Sequence, residues 1–480
     1  MAENAERFTD WVLRDFSGGL LDGVDDTLLP DNTARDCQNF ISRTVGTLQK
    51  RPGQVRLNSA SPLDGSVQGL YAYYFGEELT TRRLIVGSGG TIAWWNFNTL
   101  SWVELRTRQQ HTHPFMFETL VNDLVCFSGV DTPWRWNGSV VSDLADAPVD
   151  GRFPVLHHEK LFVVPVSAPS TLRWSDSFAP TQWPAVNFWN VSIGDGDDIT
   201  CLRSYAGQLV IFKQRSLHLL RGHSLEDFRL DEVDGRVGCV GQFAAAVHGP
   251  HVYFVAREGL CVFNGVRVIN LTINAIPKLW RTLNQAQLHR AAVHVWDDYV
   301  WVAVPEGLST TNNLVILYKI ADNPQEGSFW LLRGVNASCF ATFNDGGQLR
   351  LFTGDTAQGF VNEQYVGHDD FGSPVHAYWL GKSFDQGSPE REKRARRVFV
   401  EDSMSTINTV NVDVSLDYAN FITLHLIRGS RNIRSFQMPL GARWRYITPR
   451  FVHNQTGPCE VRGLLIPHKM KVKPRVRGGI

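Results

Sequence analysis

The sequence predicts an all-β fold, a β-propeller of six to eight blades carrying an N-terminal arm and a C-terminal β-sandwich-like module. Three observations predict it. A unit recurs in which a short apolar run, a turn carrying Gly, Asn or Asp, and a second apolar run lead to a tryptophan. It fits Arg83 to Trp102, Asp123 to Trp136, Lys160 to Trp174, Gln208 to Arg221, His251 to Asn264, Tyr299 to Trp330 and Gln348 to Phe360. Repeats of this length built from short antiparallel strands belong to propeller blades, which cannot bury both faces alone and must stack. The 15 Trp and 28 Phe against five Met suit pleated surfaces, and the large flat rings are expected to fill the space between blades.

Residues 1–60 show little periodicity and read as an arm, with one short helix expected over Ala34 to Phe40, capped by Asp31 or Asn32. The turn-rich stretch Asn58 to Ser66 leads into the propeller, placed at 61–370. Ile276 to Gln287 (IPKLWRTLNQAQ) is the other expected helix. A second joint, Gly367 to Pro374, precedes a module at 371–468. Its strands are expected at Arg397 to Glu401, Thr409 to Tyr418, Ile422 to Ile427, Trp444 to Val452 and Glu460 to Ile466, without the tryptophan repeat. A basic tail, 469–480, ends the chain.

At 480 residues the chain is long for one core, and its 43% hydrophobic and 20% charged content is that of a folded globular protein. Seven cysteines at 37, 126, 201, 239, 261, 339 and 459 include no CxxC pair; scattered through apolar runs, they read as buried free thiols made in a reducing compartment. The first residues lack the basic and apolar segments of a signal peptide, and no apolar run reaches the roughly 18 residues of a membrane span. Assembly in the cytoplasm is expected. The formal net charge of −1 hides an asymmetry: from Phe371 onward there are 18 Lys and Arg against 8 Asp and Glu, so +10 there and −11 before it. An acidic array joined to a basic module points to an anionic partner or to self-assembly between complementary faces.

Candidates for chemistry are weak. His111-Thr112-His113 and His157-His158-Glu159 lack the third and fourth ligands a zinc site needs. Asp195, Asp197 and Asp198 gather carboxylates in a glycine-rich turn, but without the spaced acids and terminal Glu of a calcium loop, and a tight turn is expected there. Trp174-Ser175-Asp176 with Trp183 approaches the Asp-box of sialidase-type propellers but lacks its Gly and is two residues too long. No nucleophile elbow, P-loop or arginine triad appears, so no catalytic residue, resident metal or cofactor is expected. The firmer signal is basic. Arg391, Lys393, Arg394, Arg396 and Arg397, with Lys469, Lys471, Lys473, Arg475 and Arg477 in the tail, suit subunit contact or phosphate contact. With no base-reading helix beside them, subunit contact is favoured and sequence-specific DNA recognition is not expected.

The chain resembles the propeller tail proteins of short-tailed bacteriophages, the hub or nozzle proteins also called packaged-DNA stabilisation proteins. The resemblance rests on Gly18-Gly19-Leu20, Leu29-Pro30-Asp31, Asn39 and the run Gly46 to Gly53 (GTLQKRPG). It continues in Gly196 to Thr200 leading to Gly207 to Lys213, and in Gly387-Ser388-Pro389 with the basic run that follows. It implies a virion protein forming a hexameric ring below the portal and adaptor rings, in contact with other tail proteins such as fibres or spikes. The genome would be retained in its lumen, touched non-specifically, and conducted outward during ejection. An acidic lumen would repel phosphate and leave a film of water and ions for sliding. The alternative is a receptor- or glycan-binding tail propeller.

Overall fold

A computed structural model describes residues 8–471 apart from 60–61, 77, 79–80, 111, 404–408 and 431. Seven antiparallel sheets follow one another along the chain. Blade one is Val67–Tyr74, Arg82–Ser88, Thr91–Asn96 and Ser101–Arg106; blade two is Met116–Leu120, Asp123–Phe127, Trp134–Trp136 and Val141–Asp143. Blade three is Gly151–His157, Lys160–Pro165, Thr171–Trp174 and Phe188–Asn190; blade four is Ile199–Tyr205, Gln208–Lys213, Leu217–Arg221 and Arg229–Asp234. Blade five is Ala245–His248, His251–Ala256, Gly259–Phe263 and Val268–Asn270; blade six is Ala292–Trp296, Tyr299–Val304, Leu314–Lys319 and Ser328–Arg333. Blade seven has Ala337–Asp345, Gln348–Asp355 and Val361–Gln364 from its own stretch, and takes its fourth strand, Gln54–Arg56, from the N-terminal side. The first strand of each blade packs on that of the next, and Ala337–Asp345 returns to Val67–Tyr74, closing the ring.

Each recurring unit of the sequence covers the second strand of one blade and, in all but the seventh, the third as well. Those strands are covered by neighbouring blades on both faces, so Tyr299–Val304 is buried at every position and Asp123–Phe127 likewise. Burial on both faces makes a strand read as a continuous apolar run. Outer strands such as Ser101–Arg106 and Arg229–Asp234 are largely exposed and carry no such signal. Tryptophans do fill the seams. Trp95 lies in the core between blades one and seven, Trp134 and Trp136 between one and two, and Trp174 between three and four. Hairpins joining first to second strands turn through paired residues of positive φ: Val121-Asn122, His158-Glu159, Ala206-Gly207, Asp297-Asp298 and Gly346-Gly347. This is the turn geometry that matches strand twist.

The C-terminal module is two stacked sheets with Trp379, Phe384, Val398, Val412, Phe436, Trp444, Phe451 and Leu464 between them. The larger runs His425–Ser430, Ile433–Gln437, Arg397–Asp402, Glu460–Met470, Leu48–Lys50 and Phe40–Ile41; Phe8–Leu13 and Lys393–Arg394 also pair with Glu460–Met470. The smaller runs Asp36–Gln38, Ala377–Leu380, Ile447–His453, Asn411–Leu416 and Ile422–Thr423. The arm is thus woven through both modules. Gly19–Leu20 and Thr33–Ala34 extend blade six, the next three segments enter the sandwich, and Gln54–Arg56 completes blade seven.

Two local expectations are corrected. Ala34 to Phe40 is not helical: Ala34, Cys37, Phe40 and Ile41 are buried in strand pairing, and Asn39 at φ 57° breaks the run between sheets. Edges offered by blade six and the sandwich outweigh a weak local helix preference. The helix expected over Ile276 to Gln287 is only Pro277–Thr282, because Leu283 bridges Glu306 and ends it; Leu288–Arg290 is a separate 3-10 turn.

One latch ties the arm to blades six and seven. Arg51 is 2% exposed, and its guanidinium donates to Asn39 Oδ1 at 3.0 Å, Pro52 O at 3.0 Å, Arg333 O at 3.1 Å and both carboxylate oxygens of Asp370. All five N–H groups are in use. Beside it, a Cβ on Gly53 would lie 1.9 Å from Asp369 O, so only glycine permits this crossing.

Candidate functional site

The basic candidates fall on one end of the larger sandwich sheet. Lys393–Arg394 and Arg397–Asp402 run in succession along one side of Glu460–Met470, with Arg394 opposite Lys469 and Lys471 N bonded to Glu392 O at 2.9 Å. Arg391, Arg394, Arg396, Arg397 and Lys471 are exposed, and Lys469 is half-buried. Arg391 lies 3.4 Å from Glu390, and Glu392 also takes Arg443 at 2.8 Å. Lys393 is a correction. It is fully buried, donates to Ser388 O at 2.6 Å and Arg445 O at 2.9 Å, and burial pulls its pKa down. A side chain committed to two carbonyls in the core offers nothing to a partner. Lys473, Arg475 and Arg477 lie outside the described residues.

The glycine-rich acidic turn is held by its own chain. Asp195 Oδ2 meets the buried Lys213 Nζ at 2.6 Å while Asp195 Oδ1 accepts Asp197 N at 2.9 Å. Asp197 Oδ2 accepts Arg215 N and Ser216 Oγ, each at 3.1 Å. Asp198 stands apart, exposed and beside Arg152. Among the described residues no group of three or more His, Cys, Asp or Glu is placed to hold a metal ion. His157 is buried, shares a 2.9 Å hydrogen bond with Ser204 Oγ, and burial lowers its pKa to about 4. His158 belongs to the hairpin turn, its ring tilted against those of His157 and His223 at centroid distances of 4.1 and 4.0 Å. His111 lies outside the described residues. Trp183 is a seam residue between blades two and three, and Asp176 anchors the turn through Asn187 Nδ2 at 3.1 Å. All seven cysteines are buried free thiols.

The propeller axis holds two chambers that sequence reasoning missed. The larger, about 750 Å³, is bounded by the entry ends of the first strands and the loops before them, with His113, Arg152, Asp198, Gln242, His289, Arg290 and Asn312 in its wall. The smaller, about 430 Å³, lies toward the other end. Phe153, Gln242 and Phe243 line both and stand between them. Phe243 packs on three separate core clusters, as a residue on the axis must. In the smaller chamber Glu118 accepts from Thr119 N at 3.0 Å, Tyr71 Oη at 3.2 Å and Leu156 N at 3.4 Å. Burial raises its pKa, opposed by these bonds and by the charge of Arg203. Arg203 itself is spent on Leu202 O, Gln242 O and Ala245 O. His294, bonded to Thr342 Oγ1 at 2.7 Å, is lowered to about 4 by burial. Both chambers are lined by polar and apolar side chains together, the larger mainly by apolar surface. No residue spacing marks them, because the wall is built from short stretches of all seven blades that lie far apart in sequence.

Seven radial sheets, closed by a strand from the opposite end of the unit, define the chain as a β-propeller protein. No protein-family model and no curated protein matches it. Among solved structures it is similar to BamB from Moraxella catarrhalis, at 11% identity and a TM-score of 0.41, over 67% of this chain and 98% of that one. Among the described residues no helix is long and apolar enough to cross a membrane.

Proposed function

We propose that the chain is a structural protein of a bacteriophage tail, of the hub or nozzle class, whose copies form a hexameric ring that extends the portal-adaptor channel. In this reading the ring retains the packaged genome, conducts it during ejection, meets fibres or spikes at its periphery, and catalyses nothing. The observation that carries it is the charge split, −11 over the first 370 residues and +10 over the rest, borne by two modules that one arm stitches together. A like-charged bore would repel phosphate, whereas the basic end of the sandwich suits an acidic face on the next subunit. The plugged propeller axis is consistent with a conduit between copies, not through one. Woven termini suit a part that must bear load without opening.

Native mass measurement of the purified chain, alone and with its head-side adaptor ring, tests this. A closed ring near six subunits that loosens as salt rises supports the reading, since exposed charge pairs are screened. A persistent monomer under every condition refutes it.

A further inference from the structure

Negative and positive charge stand on opposite sides of the ring. Residues 116–198, which form blades two and three and the loop after them, hold 11 Asp and Glu against 4 Lys and Arg, so −7 of the −11 carried by the first 370 residues. The basic sandwich lies with blades six and seven, to which the arm binds it.

On the acidic side a groove of about 580 Å³ lies between the loop of residues 146–150 and one face of the outer two strands of blade three, where Arg173 stands opposite Phe188 and Thr171 opposite Asn190. Its wall is apolar at Pro148, Pro165, Ala185 and Phe188, the last 46% exposed. Val149, Val166 and Val186, each next in sequence to a wall residue, are 55%, 46% and 67% exposed. Scattered apolar side chains on a surface are ordinary, but a cluster rimmed by polar groups marks a place that another chain covers. Asp146 is exposed and makes no ion pair among the described residues. Asp150 adds a second carboxylate, with Oδ2 accepting Ser167 N at 2.6 Å. Arg173, the one cation of the wall among the described residues, is turned onto Pro184 O at 3.3 Å.

An occupant of this groove has to be apolar on one side and cationic on the other. Residues 472–477 read Val-Lys-Pro-Arg-Val-Arg, apolar at 472, 474 and 476 and basic at 473, 475 and 477, and in an extended chain alternate residues face opposite sides. Across 469–480 there are five Lys and Arg and no Asp or Glu. The segment follows Glu460–Met470, a strand of the larger sandwich sheet. Six extended residues reach about 20 Å. Outer strands on opposite sides of a propeller stand about 30 Å or more apart, since each lies three strand spacings from the axis-lining strand. The groove of its own copy is therefore out of reach, and a neighbour's is the one it can fill.

We propose that residues 472–477 of one copy dock in the blade-three groove of the next, with Val472, Pro474 and Val476 against Pro148, Pro165 and Phe188, and Lys473, Arg475 and Arg477 toward Asp146 and Asp150. Such a contact joins two different surfaces, so it repeats from copy to copy and closes into a ring where the rotation allows. The inference rests on the ring reading and names the interface that holds the ring.

The test follows assembly of the full chain by sedimentation velocity. Lys473→Glu with Arg475→Glu and Arg477→Glu reverses the charge of the segment. Asp146→Lys and Val186→Asp alter the groove at exposed positions, and Val266→Asp, at a valine 82% exposed on blade five, is the control. Expected is assembly weakened at least tenfold by the reversed segment and by each groove variant that melts as the wild type does, and unchanged in Val266→Asp. Asp146→Cys chains mixed with Arg475→Cys chains should also form a disulfide between copies in oxidised glutathione, which neither variant forms alone. Normal rings with the reversed segment, an equal loss in Val266→Asp, or no disulfide in assembled mixtures overturns this interface and leaves the ring reading standing. A wild-type chain that never assembles refutes both.

Discussion

Replacing Arg51 by Met keeps the stem of the side chain and removes the guanidinium that joins arm, blade six and blade seven. The loss strands the Asp370 carboxylate and leaves Pro52 O, Arg333 O and one contact of Asn39 Oδ1 unanswered. Breaking one side of a buried pair costs about 3–5 kcal/mol. The Asp370 side chain is 18% exposed and recovers some hydration, so the lower end, about 3 kcal/mol, applies. The chain is too large for a single two-state unfolding transition to be assumed, so the assay is hydrogen exchange read locally. Amides in Gln54–Arg56 and in the hairpin of Asp369–Asp370 with Ser373–Pro374 should lose protection by on the order of a hundredfold, since about 1.4 kcal/mol is one decade. Amides of Lys160–Pro165, on the far side of the ring, should not change. The double variant with Asp370→Asn should cost less than the two singles summed, as coupled groups do. Protection at Gln54–Arg56 unchanged within twofold, or a loss spread evenly over all blades, would refute the latch.

Three further outcomes are expected. Gly53→Ala, whose Cβ would collide with Asp369 O at 1.9 Å, should open the same closure and lower the melting temperature by several degrees; a wild-type melt would show that the crossing yields freely. Burial holds His157, His294 and His453 at about 4, below the ordinary 6.5, so the folded state favours the neutral rings while unfolded rings protonate first. Their contribution is full above pH 6.5 and declines as pH falls toward 4, and His453→Leu should make the fall in melting temperature shallower over that window; an unchanged slope counts against it. Lys393→Met should lower stability by about 1–3 kcal/mol, through two abandoned carbonyls, without altering salt-dependent assembly. Arg394→Gln with Arg397→Gln should do the reverse, and assembly that tracks Lys393 instead would overturn the placement of the basic face.

The fold class and the central strands were legible because burial on both faces forces an apolar run whatever the neighbours are. Hence each repeat read from the chain falls on the middle of a blade. The tryptophans that close the first three runs were legible for the same reason: the seams between blades demand large flat side chains. Outer strands, half exposed, carry no such pressure, and the strands Ala377–Leu380 and Ile433–Gln437 were passed over. GTLQKRPG could be seen as a motif but not as a latch, since Asp370 and Arg333 lie about 300 residues away in sequence. Likewise, Lys393 looked like its basic neighbours until the sandwich closed over it.

What the amino-acid order determined alone is everything that follows from local periodicity and composition: seven apolar units, free thiols, a negative first part and a positive second. Tertiary structure decided what depends on distant pieces meeting. The arm became strand because four sheets offered it partners, and one of these pairings, that of Gln54–Arg56, closes blade seven from the other end of the unit. The axial chambers, too, exist only once all seven blades stand around one line, each giving the wall a short stretch of its own. Side-chain pattern reports which faces are buried, but not against what, and a site assembled from seven separated positions leaves no pattern to read.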